Sequence, residues 1–182
     1  TGRIVGAQAI GKGNVDKRID VIATLIAMDG TIEDLKDLEL SYSPLFSTAK
    51  DVVNIAALIA TNVIAGRCKQ VHVRDVRKLV ETNAVFIDVR ERNEVANGVI
   101  KGALHIPLSE LRERIDEIPK DVPVYVYCRS GQRSYNAVMA LQHHGYDNVY
   151  NVSGSFLGVC LYEYFNDQRL KREPIVTNYH FK

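Results

Sequence analysis

From Val71 to Phe165, short apolar runs alternate with segments of helical periodicity, and this alternation constrains the fold more than any other feature of the chain. Residues 71–74, 84–89, 103–106, 123–127 and 148–152 read as strands. Between and after them, residues 75–81, 90–97, a stretch capped by Ser109 (L-R-E-R-I-D-E-I), 134–144 and 154–165 read as helices. Strands and helices in strict turn imply a parallel sheet with helices on both faces. The runs A-V-F-I-D-V and P-V-Y-V-Y are nearly continuous in apolar residues, as expected of strands buried on both sides. The expected fold class is α/β, and a ligand is expected beyond the carboxyl ends of the strands.

The first 66 residues follow another pattern. Residues 3–10 (R-I-V-G-A-Q-A-I) read as a strand, and Asn14 is a plausible cap for a helix over residues 16–28. Thr31 and Asp34 form a capping-box pattern before a short helix. A loop containing Pro44 follows, with Ser47 or Thr48 placed to cap an apolar helix ending at Gly66. That helix is apolar nearly all round, so something must cover it, and one strand with three helices is too little. The chain opens at Thr1, at once in a strand-like segment, as a fragment of a longer polypeptide would. The expected organisation is a partial domain over residues 1–66, a polar linker over 67–70, the α/β domain over 71–168 and an exposed tail over 169–182.

Composition narrows the function. Of 182 residues, 46% are apolar and 25% charged, which suits a globular chain with a core. Lys and Arg number 23 against 22 Asp and Glu, so there is no basic excess for nucleic acid. Residues 52–65 are too short and too polar to span a membrane. Three cysteines, Cys68, Cys128 and Cys160, form no CxxC pair, which indicates neither a disulfide framework nor a zinc site. A reducing, cytoplasmic setting is expected, and no metal.

The chemistry converges on Cys128, which directly follows a buried strand. After it come Arg129, Ser130, Gly131, Gln132, Arg133 and Ser134, leading into a helix. A loop curled between a strand and a helix N-terminus turns successive N–H groups inward and makes an anion nest. Gly131 permits the backbone torsions of such a curl, and two arginines add positive charge. A thiol there should ionise readily and act as a nucleophile. The plainer alternative is a small buried cysteine before a basic turn. Cys68 and Cys160 read as structural, although a disulfide between Cys128 and Cys160 is conceivable.

These residues resemble a single rhodanese domain over about residues 71–165. The carrying pieces are Asp88-Val89-Arg90, then Gly98, Gly102-Ala103 and Ile106-Pro107, then Tyr127 to Ser134, then Gly145-Tyr146, Val149 and Ser153-Gly154. The resemblance implies sulfur transfer, with Cys128 carrying a persulfide and thiosulfate, polysulfide or thiol persulfides as substrates. Four residues separate Cys128 from Arg133, whereas related phosphatases carry one more. The tighter ring suits one sulfur atom, with phosphatase or arsenate reductase as the other chemistry. A non-catalytic docking or redox-sensing module is the reading from a different class. Val99 and Ser153 stand where the family often has histidine and glycine, which bears on pocket shape. Asp88 is expected either to orient an arginine of the loop or to cap the following helix. Arg90 is expected either to support the site or to pair with an acidic neighbour on the surface.

Residues 1–66 resemble the end of the dimerisation domain of flavin-dependent pyridine-nucleotide–disulfide oxidoreductases, in the coenzyme A disulfide reductase and NADH-dependent persulfide reductase group. The carrying residues are Ile4 to Gln8, Gly13, Asp16 to Asp20, Leu38, Leu40 to Pro44, Phe46-Ser47, Ala49 to Asp51 and Val53-Asn54. Leu45 and Val52 replace prolines often seen there. The resemblance implies a homodimer through residues 1–66, with FAD, NAD(P)H and coenzyme A used by the parent enzyme. No GxGxxG is present, so no cofactor is expected on this chain itself. Tyr42 would by resemblance contact a coenzyme A thiol across the dimer; the alternative is an amphipathic tyrosine at an interface.

Overall fold

The structure, a computed structural model, describes residues 2–181. It divides into two compact units, Thr1–Arg67 and Cys68–Lys182.

The second unit is a five-stranded parallel sheet with helices on both faces, the expected α/β class. Its strands are β1 (Lys69–Val71), β2 (Val85–Asp88), β3 (Leu104–His105), β4 (Val124–Tyr127) and β5 (Val149–Val152), in the order β1-β5-β4-β2-β3. Ile87 pairs with Val126 and Asp88 with Tyr127, so β2 and β4 end side by side. Side chains alternate across the sheet as the pleat requires. Ile87, Val124, Val126 and Val149 lie in one buried cluster with Ala137, Val138 and Leu141 of the helix Gln132–His143. Phe86, Tyr127 and Val152 lie in the other, with Val76 of the helix Val73–Glu81 and Phe156 and Val159 of the helix Ser155–Leu170. Each fully buried aliphatic side chain of this kind contributes about 1.5–3 kcal/mol.

Several local expectations are corrected. The first strand starts at Lys69, two residues before the expected one, so it takes in half of the expected linker, and Cys68 is buried beside it. The next helix begins at Val73, with His72 at the N-cap position and no side-chain capping bond, so Asp75 lies in its first turn. The helix expected over 90–97 shrinks to Arg92–Val95, capped by Glu91. The helix expected after Ser109 is a run of turns with one 3-10 turn, Ile115–Glu117. Leu111 and Ile118 anchor that run in the core, and the Tyr146 hydroxyl faces the carbonyls of Ile115 and Ile118 at 2.8 and 3.1 Å. The C-terminal segment is no exposed arm: Ile175 and Val176 are buried, and Val176 bridges Ile100. Cys128 and Cys160 fall in different clusters, and all three cysteines are free.

In the first unit, helices span Val15–Ala27, Ile32–Asp37 and Val52–Ile64. The expected strand over residues 3–10 is reduced to one bridge between Arg3 and Thr31, because no neighbouring strand completes a ladder. Thr31 and Asp34 form the expected capping box. The last helix is capped by Asp51 rather than Ser47 or Thr48, in a reciprocal box with Asn54. Arg18 binds both oxygens of Asp51 at 3.1 and 2.8 Å. Buried Asn54 donates to the carbonyls of Leu35 and Leu38, each at 3.1 Å. Among the described residues, no helix is long and apolar enough to cross a membrane.

Candidate active site

β4 ends at Tyr127, and Cys128 is buried where the chain leaves the sheet. Residues 129–131 turn the chain back into the helix Gln132–His143, with Gly131 at φ 121°, a conformation that favours glycine. The curl brings donors onto the sulfur. The Gly131 N–H lies 3.1 Å from Cys128 Sγ, the Ser134 hydroxyl 3.5 Å and the Ser155 hydroxyl 3.8 Å. Burial acts to raise the Cys128 pKa, but it is outweighed by the Ser134 hydroxyl and the N–H groups of Ser134, Gly131 and Ser130. The thiol therefore sits below its ordinary value, in the direction that favours a thiolate.

The hydroxyls around the sulfur form a small buried network. Ser134 Oγ is 2.7 Å from Asn151 Oδ1 and 3.1 Å from the Gly131 carbonyl. Its single proton serves one acceptor at a time, so it can turn to the sulfur when the sulfur is charged. Ser155 accepts from the Cys128 N–H at 3.1 Å and faces the Val152 carbonyl at 3.3 Å. The N–H groups of Phe156 and Leu157 bind the carbonyls of Cys128 and Arg129 at 3.1 and 3.0 Å. The loop is thereby held at both ends, by its own helix and by the start of the last helix.

Arg133 points both guanidinium ends at Glu94, at 2.6 and 2.7 Å. Its bond to Arg133 comes first among the causes that bring the Glu94 pKa down to about 2, against burial. Asp88 does not orient an arginine of the loop, as one expectation had it. It grips Arg90: Oδ1 accepts from Arg90 Nε at 2.9 Å and from the Arg90 N–H at 3.0 Å, and Oδ2 from the terminal nitrogen at 2.6 Å. Nor does Asp88 cap the next helix, a place taken by Glu91. Arg90 is 2% exposed, so a surface ion pair is excluded. It donates also to the Gly98 carbonyl at 2.7 Å and lies 4.1 Å from the centre of the Phe156 ring.

Cys128, Gly131, Arg133 and Ser134 are thus gathered at one sheet edge, where the neighbouring strand ends at Asp88 and Arg90 follows. Arg129, Ser130 and Gln132 are exposed, although the Ser130 N–H is turned to the sulfur. Tyr42 is exposed in a loop of the first unit. Sequence reasoning missed Asn151, Ser155 and Glu94. Asn151 had left a signal, a polar residue inside the buried run V-Y-N-V, and Ser155 directly follows the glycine that opens the last helix. Glu94 left none, since its bond to Arg133 spans 39 positions. A cavity of about 170 Å³ opens beside the loop, lined by Arg90, Glu94, Asn97, Arg129, Phe156, Leu157 and His180. Among the described residues, no group of His, Cys, Asp and Glu is placed to hold a metal ion.

A parallel α/β sheet that presents a buried, donor-ringed cysteine at the carboxyl end of a central strand defines the class. The model of the rhodanese-like domain matches residues 72–161. A sulfurtransferase of Allochromatium vinosum is 42% identical over 82 residues, which cover 44% of this chain and 77% of that protein. The chain belongs to the rhodanese-like family. Among solved structures, reduced CoADR-RHD of Bacillus anthracis is similar at a TM-score of 0.74 and 47% identity, over 78% of this chain and 25% of that one. A NAD-dependent persulfide reductase from A. fulgidus is similar at 0.73 and 37% identity, over 85% of this chain and 27% of that one. The chain thus spans about a quarter of each of these two proteins, and the likeness covers more of it than the second unit alone contains.

Proposed function

We propose that the second unit transfers sulfane sulfur through a persulfide on Cys128. The observation that carries this is the set of donors on Cys128 Sγ, the Gly131 N–H at 3.1 Å foremost. In the forward step the Cys128 thiolate attacks the outer sulfur of thiosulfate or a polysulfide. A new S–S bond forms, the old one breaks, and sulfite or the shortened polysulfide leaves with the electron pair. The loop amides and the Ser134 hydroxyl then hold the charge that develops on the terminal sulfur. An acceptor thiolate or cyanide takes that sulfur, and the electron pair of the breaking bond returns to Cys128. One feature favours one sulfur over a phosphate as the ligand: the short curl already places its donors on Sγ.

We extend the proposal to the parent protein, as a flavin- and NAD(P)H-dependent reductase of disulfides, coenzyme A persulfides or polysulfides that dimerises through residues 1–66. The support is the two likenesses, which cover 78% and 85% of this chain, and the half-covered helix Val52–Ile64. In that setting Tyr42 would meet the thiol substrate. The described part of the first unit has no glycine-rich turn between strand and helix, so no cofactor step is assigned to these residues. Free cysteines throughout fit a cytoplasmic location. The test is thiosulfate:cyanide sulfur transfer by wild type and Cys128→Ala. Loss of at least about a thousandfold is expected for removal of a covalent nucleophile; equal rates would end the proposal.

A further inference from the structure

Ser155 opens the last helix at a backbone cost. Its φ is 50°, in the left-handed region where a side chain is disfavoured and glycine is at ease. Gly154 before it, at φ 78°, shows that the turn into this helix needs such torsions. On backbone grounds alone glycine would suit position 155 better, yet a serine stands there with its side chain fully buried. A strained torsion persists where the surroundings hold it, and such torsions cluster at functional sites. What serine offers over glycine is one hydroxyl, so the contacts of that group carry the reason for the strain.

Those contacts make a chain. The Cys128 N–H donates to Ser155 Oγ at 3.1 Å. The Ser155 hydroxyl then has one proton for three acceptors: the Val152 carbonyl and Ser134 Oγ, both at 3.3 Å, and Cys128 Sγ at 3.8 Å. Ser134 Oγ likewise has one proton, for Asn151 Oδ1 at 2.7 Å, the Gly131 carbonyl at 3.1 Å or Cys128 Sγ at 3.5 Å. With a neutral sulfur, the shortest of these contacts is satisfied when Ser134 donates to Asn151. With a charged sulfur, a continuous path opens: the Cys128 N–H donates to Ser155, Ser155 to Ser134, and Ser134 to the sulfur. Each hydroxyl in such a path is a stronger donor because it also accepts, and the bond to a charged acceptor gains most. Ser134 and Ser155 are both fully buried, so bulk water does not replace either hydroxyl.

We infer that Ser155 is a positioning residue for the reaction at Cys128: it fixes the N–H at the start of the loop and donates to Ser134, so that the Ser134 hydroxyl serves the sulfur whenever the sulfur is charged. The inference deepens the sulfurtransferase reading and rests on it for the reaction served. A positive charge faces the sulfur from Arg133, which Glu94 holds, and the contact chain uses neither of them.

The test compares Ser155→Gly and Ser155→Ala in the full chain. Both lose the hydroxyl, but only glycine relieves the strain, so Ser155→Gly should unfold at a higher midpoint than Ser155→Ala. Iodoacetamide alkylation is followed against pH and read at Cys128 by peptide mass, which sets Cys68 and Cys160 apart. In both variants the pH midpoint of alkylation should rise by about 0.5–1, the effect of one ordinary hydrogen bond on an ionisation. Thiosulfate:cyanide sulfur transfer near that midpoint should fall about fivefold. An unchanged alkylation midpoint would overturn the inference, as would a shift confined to one of the two variants. Alkylation needs no sulfur donor. Wild type that transfers no sulfur while the shift remains would therefore remove the sulfurtransferase reading and leave the Ser155 contact chain standing.

Discussion

The two units use apolar residues differently. Cys68–Lys182 encloses them in two clusters on either side of its sheet, and its strands contribute to both. Among the described residues of the first unit, the buried apolar side chains are Leu35, Val53 and Ala57. That unit leaves Val52, Ile55, Leu58, Ile59, Val63 and Ile64 of one helix exposed. Both behaviours start from runs of apolar residues. The difference is that a parallel sheet supplies two broad faces on which helices pack, whereas three helices and a bridge offer one narrow contact. Hence the second unit holds the Asp88–Arg90 pair almost fully buried, whereas the Arg18–Asp51 pair of the first unit stays partly exposed.

The sharpest way to break this comparison is to remove one of those buried charges. In Asp88→Asn the Arg90 guanidinium, 2% exposed, would lose the carboxylate that grips it. Leaving such a charge unpaired typically costs 3–5 kcal/mol, roughly half the stability of an ordinary domain. Urea unfolding of the whole chain should therefore show the transition of the second unit moved to much lower denaturant. A shift below about 1 kcal/mol would mean that water reaches Arg90 and that the unit is less closed than its burial implies.

The Glu94–Arg133 pair should give a smaller effect, because its side chains are about one-third exposed. Glu94→Gln is expected to cost about 1 kcal/mol. The pair also carries a pH signature. The carboxyl titrates from 4.5 when unpaired to about 2 in the fold, so its contribution is whole above pH 4.5 and is lost as the pH falls toward 2. Wild type and Glu94→Gln should therefore converge in stability across that window, read from thermal unfolding at stepped pH. Parallel curves would place the pair outside the folding equilibrium.

What was legible in the sequence divides along the same line. The strands of the second unit were readable because a strand buried on both faces is apolar at nearly every position, as in V-Y-V-Y before Cys128. The reactive loop was readable because its parts are contiguous, from Cys128 to Ser134. Partners in space were not. Asp88 and Arg90 are two positions apart, yet which arginine Asp88 holds depends on Phe156 and the Gly98 carbonyl, which receive the guanidinium. The C-terminal segment looked unstructured because its anchors are few: Ile175, Val176 and an edge at Val99–Lys101. In the first unit, residues 3–10 have a strand's composition without a strand beside them. Propensity then yields nothing, since a ladder needs two partners.

The smallest expected effect sharpens the contrast from the other side. Ile59 lies on the helix Val52–Ile64 and is 46% exposed, whereas Val53 on the same helix is 3% exposed. Ile59→Lys should change the chain's own unfolding free energy by no more than about 0.5 kcal/mol, as surface substitutions do. In the full-length parent the same change should weaken self-association, measured by sedimentation, because a lysine ammonium would have to be desolvated in the proposed dimer contact. The two readouts separate a side chain that packs within its own unit from one whose packing surface lies on another. A large loss of stability in this chain alone would show that Ile59 already has its apolar cover here. Unchanged association in the parent would move the dimer contact off this face of the helix.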